Sequence, residues 1–180
     1  MQTRIRTLAL AALAGASLAT PALAGPVPSI PMDDAPAGPP WISIEIPVNP
    51  YDDSTKGAFL LVHAFHHRIP TGYVVSGTAE GMVNGERRSL ALDFSETSRE
   101  GVYALKQTWP VQGTWTLVIR ANQGPEDAAT AVIDLGAEGD VIAVRVPTMQ
   151  RGRWTVPAPV ALAEIDAALR ARAATLARRP

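Results

Sequence analysis

The sequence predicts an all-β fold, a β-sandwich of about seven to eight short strands followed by a C-terminal amphipathic helix. Three observations predict it. Beyond residue 40, apolar side chains alternate with polar ones in short runs, as strands half-buried in a sandwich require. Gly, Pro, Asn and Asp interrupt those runs repeatedly, and Asn84-Gly85 is the sharpest of these turn signals. From Val160 to Arg178 the residues change to Ala, Leu and Arg in helical spacing.

The chain opens with Arg4 and Arg6, an apolar run from Leu8 to Leu18, then Pro21 and Ala22-Leu23-Ala24. A positive start, a short apolar run and a small-x-small site make residues 1–24 a cleavable secretory signal peptide. The run is shorter than the ~20 residues that cross a bilayer, which disfavours an uncleaved anchor. Gly25 follows the cut where a lipoprotein has Cys, so no lipid anchor is expected. Residues 25–40 are Pro-rich and aperiodic, and read as an extended linker with Asp33-Asp34 in a solvated turn.

The sandwich domain is expected over residues 41–147. Ile42, Ile44 and Ile46 alternate with Ser43 and Glu45 as a half-buried strand. Ala58 to His67 is nearly all apolar and reads as a central strand covered on both faces. Tyr73 to Val83 is the next strand. Asn84-Gly85 then makes a tight hairpin, because both residues tolerate the positive φ of a type I′ turn. Arg87 to Phe94 returns, with Leu90, Leu92 and Phe94 inward, and Ser95 to Gly101 is a polar turn. Val102 to Trp109 is a strand stopped by Pro110; Gly113 turns the chain into Thr114 to Ala121, and Asn122 to Asp127 is a loop. Ala131 to Leu135 and Val141 to Val146 form the last pair. Residues 148–180 are a C-terminal extension with a helix over 160–178. Leu162, Ile165, Leu169 and Leu176 share its apolar stripe, with acids early and Arg late as the helix dipole prefers.

Composition bounds the function. Removing the first 24 of 180 residues leaves 156, enough for one domain with a sizeable core. That segment holds two Arg and no acid, so the net charge moves from −1 to −3 and offers no electrostatic footprint for nucleic acid. Cys is absent, which excludes disulfides, thiolate metal sites and thiol catalysis. Ala- and Arg-rich usage points to a bacterial source, and an exported bacterial chain to the periplasm.

Gly101-Val102-Tyr103 and, further on, Gly113-Thr114-Trp115-Thr116-Leu117-Val118-Ile119 form a G-x-Y … G-x-W-x-L-x-V strand pair. Over about residues 58–121 this resembles bacterial extracytoplasmic immunoglobulin-like domains of the YtkA-like and FixH-like kind. The resemblance implies an immunoglobulin-like sandwich in which Gly113 turns the chain and Trp115 packs inward. Some such domains handle copper or assist respiratory assembly. This chain has neither Cys nor a Met-rich cluster, so the resemblance extends to the fold and not to metal sites.

His63, His66 and His67 are the only histidines. On a strand, His63 and His67 share a face but stand about 13 Å apart, too far to chelate one ion, while His66 faces the other way. A bulge at the strand end would join His66 and His67 as metal ligands, with Asp52 or Asp53 completing the set. Ordinary strand-end histidines are the simpler reading. No Ser sits in a G-x-S-x-G elbow, and Gly77-Thr78-Ala79-Glu80-Gly81 lacks the Lys and following helix of a phosphate loop. Its small residues suit close strand or sheet approach. Glu80 with Asp93 or with Glu45 offers a glycosidase pair, yet any sandwich exposes several acids. Trp41, Trp109, Trp115 and Trp154 suit core packing and strand ends better than a ligand groove.

The expected function is a non-catalytic exported binding or accessory module acting through loops, sheet edges or the helix, with no cofactor. The expected partner is another extracytoplasmic protein, without nucleic acid and without stable membrane insertion after cleavage. The alternatives are a periplasmic copper-binding or delivery protein using His66 and His67, and a hydrolase. The helix stripe has three possible fates: docking on its own sandwich, which is favoured, pairing with a partner, or lying on a membrane.

Overall fold

The computed structural model describes residues 38–124, 127–176 and 178. The expected signal peptide and the linker before Gly38 lie outside the described residues. Twelve strands and one α-helix follow in order. The first sheet takes β1 (Trp41–Glu45), β2 (Leu60–His66), β3 (Ile69–Pro70), β6 (Phe94–Glu96) and β7 (Val102–Leu105). Its order is β1-β2-β7-β6, with the short β3 also on β2. The second sheet takes β4 (Val74–Val83), β5 (Glu86–Ala91), β8 (Thr114–Gln123), β9 (Asp127–Leu135) and β10 (Val141–Arg145), in the order β10-β9-β8-β4-β5. All pairings are antiparallel. A separate hairpin pairs β11 (Thr148–Arg151) with β12 (Trp154–Pro157), and helix α1 spans Leu162–Leu176.

The two five-stranded sheets make a β-sandwich with a C-terminal helix, because the period-two alternation sends one set of each strand's side chains inward. Ile42, Leu60, Val62 and Leu105 of the first sheet meet Ala79, Leu117, Ile119 and Ile133 of the second in one core. Burying each large aliphatic side chain there contributes about 1.5–3 kcal/mol. Trp115 belongs to the same core; its indole Nε1 donates to the Gln112 carbonyl at 2.9 Å. A Cβ at Gly81, opposite it on β4, would collide with the Trp115 ring. The close approach expected of the Gly77–Gly81 segment is therefore a cross-strand packing of indole on glycine. Asn84 and Gly85, at φ +53° and +82°, make the tight turn between β4 and β5.

Several boundaries differ from the sequence expectation, among them the strand expected over Val102 to Trp109, which ends at Leu105. The return strand ends at Ala91, and Phe94–Glu96 pairs with β7 in the other sheet, where a polar turn was expected to begin at Ser95. Leu92 stays in the core through that crossing. The loop expected at Asn122–Asp127 is largely strand, because β8 and β9 stay paired out to Gln123 and Asp127. The β11–β12 hairpin stands in the extension where no strand was expected, and most of its side chains are exposed. Finally, Pro40 is fully buried, so the last residues of the expected linker belong to the domain.

Candidate functional site

Both faces of the second sheet are covered, and the outer one holds the candidate site. Along β8 the outward residues are Thr116, Val118 and Arg120. The register sets Thr116 between Glu80 and Asp134, Val118 between Thr78 and Val132, and Arg120 between Ser76 and Thr130. Helix α1 covers the first two rows. Ile165 and Leu169 are buried against Val118 and Val132. Of the four residues expected as a possible partner-binding stripe, these two therefore face the chain's own sheet. Leu176 is half-buried, and Leu162 remains 63 % exposed. Docking on its own sheet, the fate favoured for the stripe, takes up these two central positions, so they are not a free face for a partner.

Two ionic clusters fix the helix on either side of that apolar contact. The Arg87 guanidinium lies 2.6 Å from both Glu80 Oε2 and Asp166 Oδ1, tying β5, β4 and α1 together. Glu80 is buried and also accepts from Ser89 Oγ at 2.9 Å. Burial raises its pKa, but hydrogen bonds from Thr78, Arg87 and Ser89 and the Arg87 charge outweigh that and hold it below 4.5. In the second cluster Arg172 donates to the carbonyls of Leu135 at 3.2 Å and Trp115 at 3.1 Å, and to Thr116 Oγ1. It also lies 3.3 Å from Asp134, which Arg145 approaches at 3.2 Å. Burial lowers the Arg172 pKa, Asp134 opposes the shift, and Arg145 adds to it. The partners that Asp166 and Arg172 find were not legible in the sequence, because they lie far away along the chain, whereas Glu80 meets Arg87 across the Asn84-Gly85 hairpin.

The third row, Ser76–Arg120–Thr130, is left free by the helix and floors a cleft of about 630 Å³. Met149, Arg151 and Val156 of the β11–β12 hairpin line it, as do Val160, just before α1, and Leu162 at its start. Pro39 and Asp127 lie at its margin. Sequence reasoning missed this site. The one available signal was Arg120 itself, a lone charge in the apolar run Thr114 to Ala121.

The histidines lie elsewhere, on the first sheet. His63 faces outward and its Nε2 donates to Glu45 at 2.8 Å. His66 Nε2 donates to the Gly38 carbonyl at 2.8 Å, which leaves Nδ1 as the free lone pair of the neutral ring. The rings of His66 and His67 are brought together, with centroids 4.2 Å apart. A two-residue turn does this, not the expected bulge: His67 and Arg68, at φ +49° and +70°, connect β2 to β3 between the paired His66 and Ile69. Asp52 is engaged in its own loop, accepting from Ser54 N and Oγ and lying 3.7 Å from Arg99. Among the described residues no group of three or more His, Asp and Glu gathers around one point.

Glu80 and Glu45 project from the outer faces of opposite sheets, so the sandwich separates that carboxylate pair. The tryptophans do not share a groove. Trp109 and Trp115 are buried, Trp109 edge-on to Phe59 at 5.2 Å; Trp41 is half-buried on β1; Trp154 is exposed on β12 under the Arg153 guanidinium. Among the described residues no helix is long and apolar enough to cross a membrane. No family model matches the chain, and no curated protein or solved structure shows significant similarity to it.

Proposed function

We propose that this chain is an exported, non-catalytic binding module that works through the cleft beside its C-terminal helix. The observation that carries this reading is the cleft itself. Its volume lies within the ~300–1,000 Å³ of small-molecule sites, and apolar walls meet a polar floor in the usual way of such sites. The floor is a rigid central strand with a paired strand on each side, so the site is preorganised. Export to the periplasm rests on Arg4, Arg6, the apolar run and Ala22-Leu23-Ala24, with the absence of Cys in keeping.

The test is native mass spectrometry on the protein purified from the exported fraction. The expected result is a chain starting at Gly25 that retains a small-molecule adduct. Ser76→Phe, which fills the floor, removes the adduct and leaves the fold intact. A chain starting at Met1 in the membrane fraction overturns the export reading. An adduct indifferent to Ser76→Phe overturns the cleft reading.

A second reading, periplasmic copper binding or delivery, is favoured by one observation, the His67–Arg68 turn that sets the His66 and His67 rings edge-on to each other. The pair supplies two imidazoles and has no carboxylate gathered beside it among the described residues.

A further inference from the structure

We infer that the cleft takes a small amphiphilic anion, a carboxylate head on an apolar body, with Arg120 as the residue that holds the head. This rests on the cleft reading above and adds the chemistry of its occupant. The charges on the outer face of the second sheet divide sharply. Glu80, Arg87, Asp134, Arg145, Asp166 and Arg172 are all engaged in ion pairs. Arg120, on the same face of the central strand, has no ion pair or side-chain hydrogen bond among the described residues, and neither has Arg151, which also lines the cleft. Asp127 is the one carboxylate in the described lining, and it pairs with neither guanidinium.

The neighbours of Arg120 suit an oxyanion. Ser76 and Thr130 stand beside it in register on the two flanking strands, and each can donate one hydroxyl proton. Ser76 Oγ already accepts from Asn122 Nδ2 at 3.2 Å, so its own proton is free for the cleft. A planar guanidinium matches a carboxylate in a two-pronged hydrogen bond. Met149, Val156, Val160 and Leu162 offer an apolar wall where the body of such a molecule loses its water. A bare inorganic anion would use the guanidinium and leave that wall wet. A neutral lipid would use the wall and gain nothing from the two exposed guanidinium groups beside it.

Calorimetry on the full mature chain tests this with decanoate below its micelle concentration. Decanol, inorganic phosphate and an extended acidic peptide are the comparison probes. Decanoate is expected to bind one to one. Arg120→Gln is expected to weaken it about tenfold or more, as loss of a charge-assisted pair does. Met149→Asp is expected to weaken it too, by placing a like charge on the wall, while Arg88→Gln on β5, outside the cleft, leaves it unchanged. The melting temperature of Arg120→Gln should match the parent, because Arg120 has no side-chain partner to lose among the described residues. Decanol binding as tightly as decanoate and indifferent to Arg120→Gln overturns the anionic head but leaves the cleft reading standing. Phosphate binding as tightly overturns the apolar body. Binding of the acidic peptide alone overturns the small-molecule class. No probe binding, together with an adduct indifferent to Ser76→Phe, overturns both readings.

Discussion

Arg172 reaches from α1 across the sheet and satisfies two backbone carbonyls, one hydroxyl and one carboxylate. Removing it leaves those acceptors partly buried, and leaves Asp134 with Arg145 and the Thr116 hydroxyl alone. Arg172→Ala is expected to cost about 2–3 kcal/mol in urea unfolding. Arg172→Lys should recover only part, since an ammonium cannot address acceptors on two strands in the plane of a guanidinium. From the sequence Arg172 was legible as a basic residue near the end of a helix and nothing more, because its partners depend on strand register. The histidines illustrate the same limit. Spacing put His66 and His67 on different faces of a strand, but the strand ends at His66, and a two-residue turn with unusual occupants brings the two rings together. Titration with Cu(II) or Zn(II) is expected to show no sub-micromolar site in the monomer, for want of a third ligand among the described residues. Tight binding abolished in a His66→Gln, His67→Asn double variant would move copper handling ahead of the cleft; Asn is chosen because it tolerates the left-handed backbone at 67.

Helix α1 is an integral layer of the fold. Leu169 is fully buried on Val118 and Val132, so Leu169→Ala is expected to lower stability by about 2–4 kcal/mol. A chain ending at Pro157 is expected to melt well below the full-length protein, since it also loses Asp166 and Arg172 and so breaks both ionic clusters; equal melting temperatures would show the helix to be an appendage. The helix was legible because its stripe recurs at helical spacing. Two other elements were not, for reasons that lie in the pattern itself. Leu90, Leu92 and Phe94 continue one alternation while the chain passes from one sheet to the other. Both sheets point their inner residues at the same core, so the period of two never registers the change. The β11–β12 hairpin is mostly exposed, so Thr148–Arg151 has no apolar alternation to reveal it.

For the molecule as a whole, acid sensitivity should centre on Glu80. Its pKa in the folded chain lies below the ordinary 4.5, so it stabilises the fold above pH ~4.5, and that contribution is lost as pH falls through the folded value. Chemical denaturation at pH 7 and at pH 3 is expected to show a loss that Glu80→Gln makes smaller, at the expense of lower stability at pH 7. The division of labour between sandwich and C-terminal layer has a further consequence. The cleft floor belongs to Ser76, Arg120 and Thr130 on paired strands, while its sides come from the hairpin and the start of the helix, joined to the sandwich by a single crossing of the chain. The exposed Gly152 turn lies between Arg151 and Arg153, two bonds that trypsin cuts. An occupant bridging floor and hairpin would clamp that turn against the sheet and slow its digestion, whereas an empty cleft leaves the turn to open by itself. Cleavage kinetics at this one loop would then report occupancy directly, turning the hairpin into a native sensor that can be read in a crude exported fraction before the occupant is identified.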